Sequence, residues 1–177
     1  MISRDRRSRR KPANPNRWPF FIVVSLGLLM VALDNSILYN ALPALDEQLG
    51  ATASQSLWII NAYPLVITGL LLGSGSLGDR IGHRRMFMVG LVIFGIASLA
   101  AAFSPTVLSP VIARGFLGAG AATMLPATLA LINQIFPEER ERNLAMSIWV
   151  SAAVLGAALG PVVGGALLHF FLSLIHI

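Results

Sequence analysis

The sequence is poor in the side chains that most enzymes use for chemistry. It contains no cysteine and only three histidines among 177 residues, which excludes disulfide bonds, thiolate metal sites and cysteine nucleophiles. It also lacks a nucleophile, base and orienting group at usable spacing, a metal-ligand cluster and a phosphate-binding loop. We therefore expect a protein that is not an enzyme and that holds no metal and no other cofactor.

Charged residues are also scarce. Asp, Glu, Lys and Arg together make up 12% of the chain, whereas hydrophobic residues make up 55%, and the mean hydropathy is +0.73. This composition argues against a water-soluble domain with a polar surface. It favours a protein that resides in a lipid bilayer.

The basic residues are concentrated outside the apolar runs. A net charge of +5 could indicate a nucleic-acid partner, but the positions of the charges indicate membrane topology instead, and we expect no nucleic acid to bind. Of the thirteen Lys and Arg residues only Arg114 lies in an apolar run, and the others are Arg4, Arg6, Arg7, Arg9, Arg10, Lys11, Arg17, Arg80, Arg84, Arg85, Arg140 and Arg142.

Five apolar runs are long enough to cross a bilayer, for which a helix needs about 20 residues. They lie at about 18–42, 57–77, 86–103, 107–136 and 144–171. Because polar segments with Lys or Arg alternate with segments that have neither, the positive-inside rule places the N-terminus in the cytoplasm. The sequence therefore predicts an all-α, multi-pass integral protein of the cytoplasmic membrane, with residues 1–17 as a basic cytoplasmic tail and 78–85 as a short cytoplasmic turn.

The basic tail is also compatible with a secretory or twin-arginine leader, since Ala51-Thr52-Ala53 looks like a cleavage site. That tripeptide, however, lies beyond Pro43 and two acidic residues, too far from the apolar core of the run. A disordered basic tail that marks the cytoplasmic side is the simpler interpretation.

Two ionisable residues lie inside the predicted spans, Asp34 in the first and Arg114 in the fourth. A charge in this position costs at least about 2.5 kcal/mol, so each is a candidate for function. Both lie about 11 to 12 Å below the outer face at about 1.5 Å per residue, which allows an ion pair if the two spans are neighbours. The pair is either a proton- or cation-binding site or a static bridge between helices. Asn35 either lines a wet cavity beside it or bonds only between helices.

The fifth span contains glycines at a spacing of four residues. Gly156, Gly160 and Gly164 share one helical face, Gly165 widens it, and Pro161 removes a backbone donor in mid-helix. A single glycine pair at this spacing indicates only close helix packing. Three in register around a Gly-Pro step indicate close contact together with a bend.

Four segments of the chain carry recognisable patterns. They are "LDNSILYNALP" (33–43), "GSLGDRIGHRR" (75–85), "RGFLGAGAA" (114–122) and "GAALGPVVGG" (156–165). Together they resemble the N-terminal half of a major facilitator superfamily transporter, most closely the fourteen-span drug/proton antiporter branch. The chain departs from the family patterns at His83, where Arg or Lys is usual, and at Leu117, where glutamine is usual.

The resemblance implies roles for particular residues. Asp34 is implied to be a protonation or cation-sensing site and Arg114 its partner in proton coupling. A conformational latch is implied for the loop motif, at Gly75, Asp79, Arg80, Gly82, Arg84 and Arg85. Control of bending and leakage is implied for the fifth-span motif, at Gly156, Gly160, Pro161, Gly164 and Gly165.

The resemblance also implies that the chain is partial. Five spans form an incomplete six-helix bundle that lacks its sixth helix and the C-terminal half. The final "LSLIHI" (172–177) is what the transposon end used in sequencing-library preparation encodes, and we expect it to be adaptor read-through.

The expected function is proton-coupled export of lipophilic or cationic compounds, with a small-molecule substrate, protons and lipid as partners. A metabolite or sugar carrier and a non-transporting membrane anchor or regulatory fragment are the alternatives.

Overall fold

The chain folds into α-helices joined by very short connections. The computed structural model describes residues 17–103 and 106–175. Within these residues the helices are α1 (Arg17–Leu49), α2 (Ala53–Ile81), α3 (His83–Ala102), α4 (Leu108–Ile135) and α5 (Glu139–Ile175). The expectations for residues 1–16 and for the last two residues of the chain lie outside the described part.

All five helices are long and apolar enough to cross a membrane. The stretches that satisfy both conditions are Arg17–Glu47, Ala53–Ile81, His83–Ala102, Leu108–Ile135 and Glu139–Ala166. An all-α membrane fold with five candidate spans is therefore confirmed for the described residues. Most of the helices run several residues beyond the apolar runs, because helical hydrogen bonding continues into the polar residues at their ends.

The expected turn at 78–85 is wrong in its extent. α2 continues to Ile81 and α3 begins at His83, so Gly82 is the single residue between the two helices. Its φ of 98° lies in a region that glycine adopts without steric cost. The charged residues on either side suggested a loop, but they sit on the last turn of one helix and the first turn of the next.

α4 is the most buried of the five candidate spans. It packs along both α2 and α3, while α5 packs mainly along α1. The largest core cluster includes Val24, Tyr63, Phe87, Leu117 and Met124, which come from α1, α2, α3 and α4. Arg114, the charged residue of α4 that the sequence placed inside the membrane, is thus enclosed by protein.

α3 and α4 approach each other through two glycines. A Cβ on Gly120 would lie 2.9 Å from the carbonyl oxygen of Gly90, and a Cβ on Gly90 would lie 2.8 Å from the carbonyl oxygen of Gly120. Neither position can carry a side chain without moving a helix. Small residues allow this contact, and close backbone packing is the main source of attraction between helices in lipid.

A second cluster joins the start of α1 to the start of α5. Phe21, Phe136 and Ala145 form its buried core, and the Phe21 and Phe136 rings meet edge to face with centroids 5.6 Å apart. Above them Arg17 donates two hydrogen bonds to the Glu141 carboxylate, at 2.7 and 3.1 Å. This ion pair ties α1 to α5 at the end that the charge pattern assigns to the cytoplasm.

Candidate functional site

The two charges predicted inside the membrane form a direct ion pair. Arg114 Nη1 donates to Asp34 Oδ2 at 2.5 Å, and Arg114 Nη2 donates to Asn35 Oδ1 at 2.9 Å. The guanidinium therefore bridges from α4 to two consecutive residues of α1. Asn35 also donates to the carbonyl oxygen of Val31, one turn earlier, at 3.0 Å, which fixes the orientation of its amide.

The two partners differ in their access to the outside of the protein. The Arg114 side chain is 4% exposed and the Asp34 side chain 21% exposed. The cation is thus held inside the bundle, whereas part of the carboxylate lies at the surface of the described helices. A buried ion pair is costly to break on one side, because the remaining charge is left without a partner.

Tyr63 of α2 completes the site and was not predicted from the sequence. Its ring is 95% buried, with a relative exposure of 5%, and the guanidinium carbon of Arg114 lies 4.7 Å from the ring centroid. This distance allows a cation–π interaction. The only signal in the sequence was a tyrosine in an apolar run, which more often packs in a core.

Arg114 Nε has no hydrogen-bond partner among the described residues. The Tyr63 hydroxyl makes no hydrogen bond of good geometry there, although it lies beside the Asn35 side chain. Buried polar groups are usually satisfied, so the site has donor and acceptor capacity beyond the Asp34–Arg114–Asn35 contacts.

The residues of the expected latch lie at the junction of α2 and α3, mostly on the surface. His83 Nε2 lies 3.2 Å from Asp79 Oδ1, so the departure from the family pattern at position 83 supplies the contact to Asp79. Arg84 lies over the Phe20 ring, 5.6 Å from its centroid. Arg80 and Arg85 are exposed, and Gly82 forms the junction itself. Their role as a latch stays a prediction.

The glycine face of α5 packs on the part of α1 that carries Asp34. A Cβ on Gly156 would lie 2.8 Å from the carbonyl oxygen of Leu29. A Cβ on Gly160 would overlap the Ser36 side chain, and a Cβ on Gly164 would make ordinary contact with Ile37. At Gly165 a Cβ would meet nothing within 4 Å, so the expectation that this glycine widens the packed face does not hold for the described residues.

Comparison with known proteins gives one family and several curated relatives. The model of the family described as Major Facilitator Superfamily matches residues 24–173. The chain is similar to the methyl viologen resistance protein SmvA of Salmonella typhimurium, 45% identical over 155 residues, which cover 88% of this chain and 31% of the relative. It is also similar to the multidrug efflux pump LfrA of Mycolicibacterium smegmatis, 44% identical over 154 residues, covering 87% of this chain and 31% of the relative.

A third relative is the tetracenomycin C resistance and export protein of Streptomyces glaucescens. It is 38% identical over 152 residues, which cover 86% of this chain and 28% of the relative. The chain thus spans a little under one third of the length of the curated relatives it matches.

Proposed function

This chain belongs to the Major Facilitator Superfamily, and from that premise we propose that it is the N-terminal part of a proton-coupled antiporter. The complete protein exports lipophilic or cationic compounds across the cytoplasmic membrane. Export is the activity named for two of the relatives, the pump LfrA and the tetracenomycin C exporter. The cytoplasmic location of the N-terminus follows from the distribution of basic residues.

The observation that carries this proposal is the polar site enclosed by apolar helices. Asp34 is partly exposed and pairs with a buried Arg114, and an ionisable pair at this depth is costly unless it serves a function. A proton that binds Asp34 removes the charge that Arg114 faces. Arg114 then needs another partner, so its hydrogen bonds rearrange and α1 and α4 can shift.

The two other motifs supply the conformational parts of the proposal. The exposed charges at the junction of α2 and α3 brace this bundle against the second bundle when the outer side is open. The glycine face of α5 sets the bend and the seal of that helix against α1. A substrate then meets a site that opens to one side of the membrane at a time.

The test uses everted membrane vesicles that contain the full-length protein and a fluorescent pH probe. In acidified vesicles, methyl viologen should release protons through the wild-type protein. We expect Asp34→Asn to abolish this release, because the amide accepts no proton. Glu47→Gln is the matched control on α1, since Glu47 is exposed and outside the site, and it should behave as wild type.

Two results would contradict the proposal. An Asp34→Asn protein that still accumulates methyl viologen against its gradient shows that Asp34 is not the coupling residue. A wild-type protein that moves methyl viologen at the same rate with and without a proton gradient shows that transport is not proton-coupled.

A further inference from the structure

Pro161 leaves one carbonyl of α5 without its helical donor. Proline has no backbone N–H, so the carbonyl oxygen four residues earlier, on Ala157, loses its normal partner. α5 is a candidate membrane span over Glu139–Ala166, and in lipid a free carbonyl cannot turn to water. Some other donor must satisfy it.

Ser36 of α1 supplies that donor. Its Oγ donates to the carbonyl oxygen of Ala157 at 2.8 Å, between residues 121 positions apart in the chain. The approach requires Gly160, because a Cβ there would overlap the Ser36 side chain. Pro161, Gly160 and Ser36 thus form one arrangement. Pro161 frees the carbonyl oxygen, Gly160 leaves room for the serine side chain, and Ser36 donates the hydrogen bond.

A serine is paired with a proline-freed carbonyl a second time, between α2 and α4, there without a glycine at the contact. Pro126 lies inside α4 and frees the carbonyl oxygen of Ala122. Ser74 of α2 donates to that oxygen at 2.6 Å and shares its proton with the Leu71 carbonyl oxygen of its own helix, 2.9 Å away. Two of the main helix pairs of the bundle are therefore joined by a serine on one helix and a proline-freed carbonyl on the other.

The Ser36 contact differs from the Ser74 contact in what lies beside it. Ser36 follows directly after Asp34 and Asn35, the two residues that bind Arg114. A single turn of α1 is thus bound to α4 through the charged site and to α5 through the freed carbonyl. If α1 is displaced at the charged site, its contact with the Ala157 carbonyl of α5 is displaced as well.

We propose that Ser36 is a positioning residue of the transporter: its hydroxyl replaces the donor that Pro161 removes and fixes the Ala157–Pro161 segment of α5 to the charged site. The effect of Ser36 on transport rests on the proposed function. The hydrogen bond itself can be tested without transport.

The first experiment is a double-mutant cycle on the melting temperature of the full-length protein in detergent. Ser36→Ala should lower Tm by about 2 °C, as expected for one interhelical hydrogen bond. In a Pro161→Ala background the restored N–H already satisfies the Ala157 carbonyl, so Ser36→Ala should lower Tm by clearly less than in wild type. Ser74→Ala in wild-type and Pro126→Ala backgrounds should behave in the same way.

Ser151→Ala is the matched control for the cycle. Its hydroxyl donates to the Ser147 carbonyl of its own helix at 2.8 Å, and that carbonyl keeps its backbone donor. The effect of Ser151→Ala should therefore be equal in both backgrounds. Effects of Ser36→Ala that are also equal in both backgrounds would overturn the proposed replacement of a donor.

The second experiment measures transport in everted vesicles. Ser36→Ala should lower the maximal rate of proton release driven by methyl viologen by at least about fivefold. The KM for methyl viologen should not change, because the hydroxyl is already bonded to Ala157. Ser36→Thr keeps the donor and should restore the rate.

The outcomes separate the inference from the proposed function. An unchanged maximal rate in Ser36→Ala, together with a coupled melting cycle, means that the hydrogen bond only holds the helices and that Ser36 is not a positioning residue. A wild-type protein without proton release contradicts the proposed function, while the melting cycle still decides whether Ser36 replaces the donor.

Discussion

At the scale of single residues, Tyr63 combines a favourable and an unfavourable contribution to the site. Its ring face contacts the Arg114 guanidinium, whereas its buried hydroxyl makes no hydrogen bond of good geometry among the described residues, although it lies beside Asn35. The first interaction contributes about 1 kcal/mol to stability, and an unsatisfied buried hydroxyl costs about 1 to 3 kcal/mol. The two contributions can be separated by substitution.

We predict that Tyr63→Phe increases the free energy of unfolding by about 1 kcal/mol, because it keeps the ring and removes the hydroxyl. Tyr63→Leu should be about 1 to 2 kcal/mol less stable than Tyr63→Phe, because both variants lack the hydroxyl and only Tyr63→Leu also loses the cation–π contact. Denaturant unfolding of the full-length protein in detergent measures both changes. A Tyr63→Phe protein less stable than wild type would show that the hydroxyl has a partner, such as a buried water.

At the scale of helices, two glycines of α5 differ in how closely their backbones approach neighbouring atoms. A Cβ on Gly156 would contact both the Leu29 carbonyl and the Ala32 side chain at 2.8 Å, whereas a Cβ on Gly165 would meet nothing within 4 Å. The first glycine is required for the packing of α5 on α1. Gly165 is not needed for this packing, and glycine there only makes the helix backbone more flexible.

We predict that Gly156→Ala lowers the free energy of unfolding by about 1 to 3 kcal/mol, because the added methyl forces α5 away from α1. Gly165→Ala, the matched control, should leave it unchanged or raise it by up to about 1 kcal/mol, because alanine is the better helix former. Thermal melting in detergent compares the two. Equal losses would mean that α5 does not pack on α1 through this face.

The sequence predicts the helices well and their contacts only in part. Apolar runs locate the five helices because the bilayer requires both length and hydrophobicity. The matched depths of Asp34 and Arg114 predict an ion pair, which is confirmed. The Ser36–Ala157 bond could not be predicted, because spacing along the chain does not show which faces of α1 and α5 meet. The junction at Gly82 was mistaken for a longer loop because charged residues flank it.

At the scale of the whole molecule, the charge pattern predicts which ends of the helices face the cytoplasm. The connection after α1 carries no basic residue, whereas the connection before α5 is followed by Arg140 and Arg142. Because these 177 residues contain no cysteine, a labelled peptide from this part of the protein identifies the introduced thiol.

We predict that a membrane-impermeant thiol reagent labels Ala51→Cys in intact cells, because the positive-inside rule places this connection outside. Glu138→Cys should be labelled only after the membrane is opened. Mass spectrometry of the purified protein measures the labelled fraction. Labelling of Glu138→Cys in intact cells, with Ala51→Cys protected, would reverse the proposed orientation.

The three polar residues at positions 34–36 limit how α1 can move. Successive helical residues are about 100° apart, so Asp34 and Ser36 leave the axis in different directions, one towards α4 and the other towards α5. A twist of α1 by about 20° moves atoms at its side-chain radius of about 5 Å by about 2 Å, enough to break both hydrogen bonds at once. While both hydrogen bonds are formed, α1 can therefore tilt or translate together with α4 and α5, but it cannot rotate about its own axis between them.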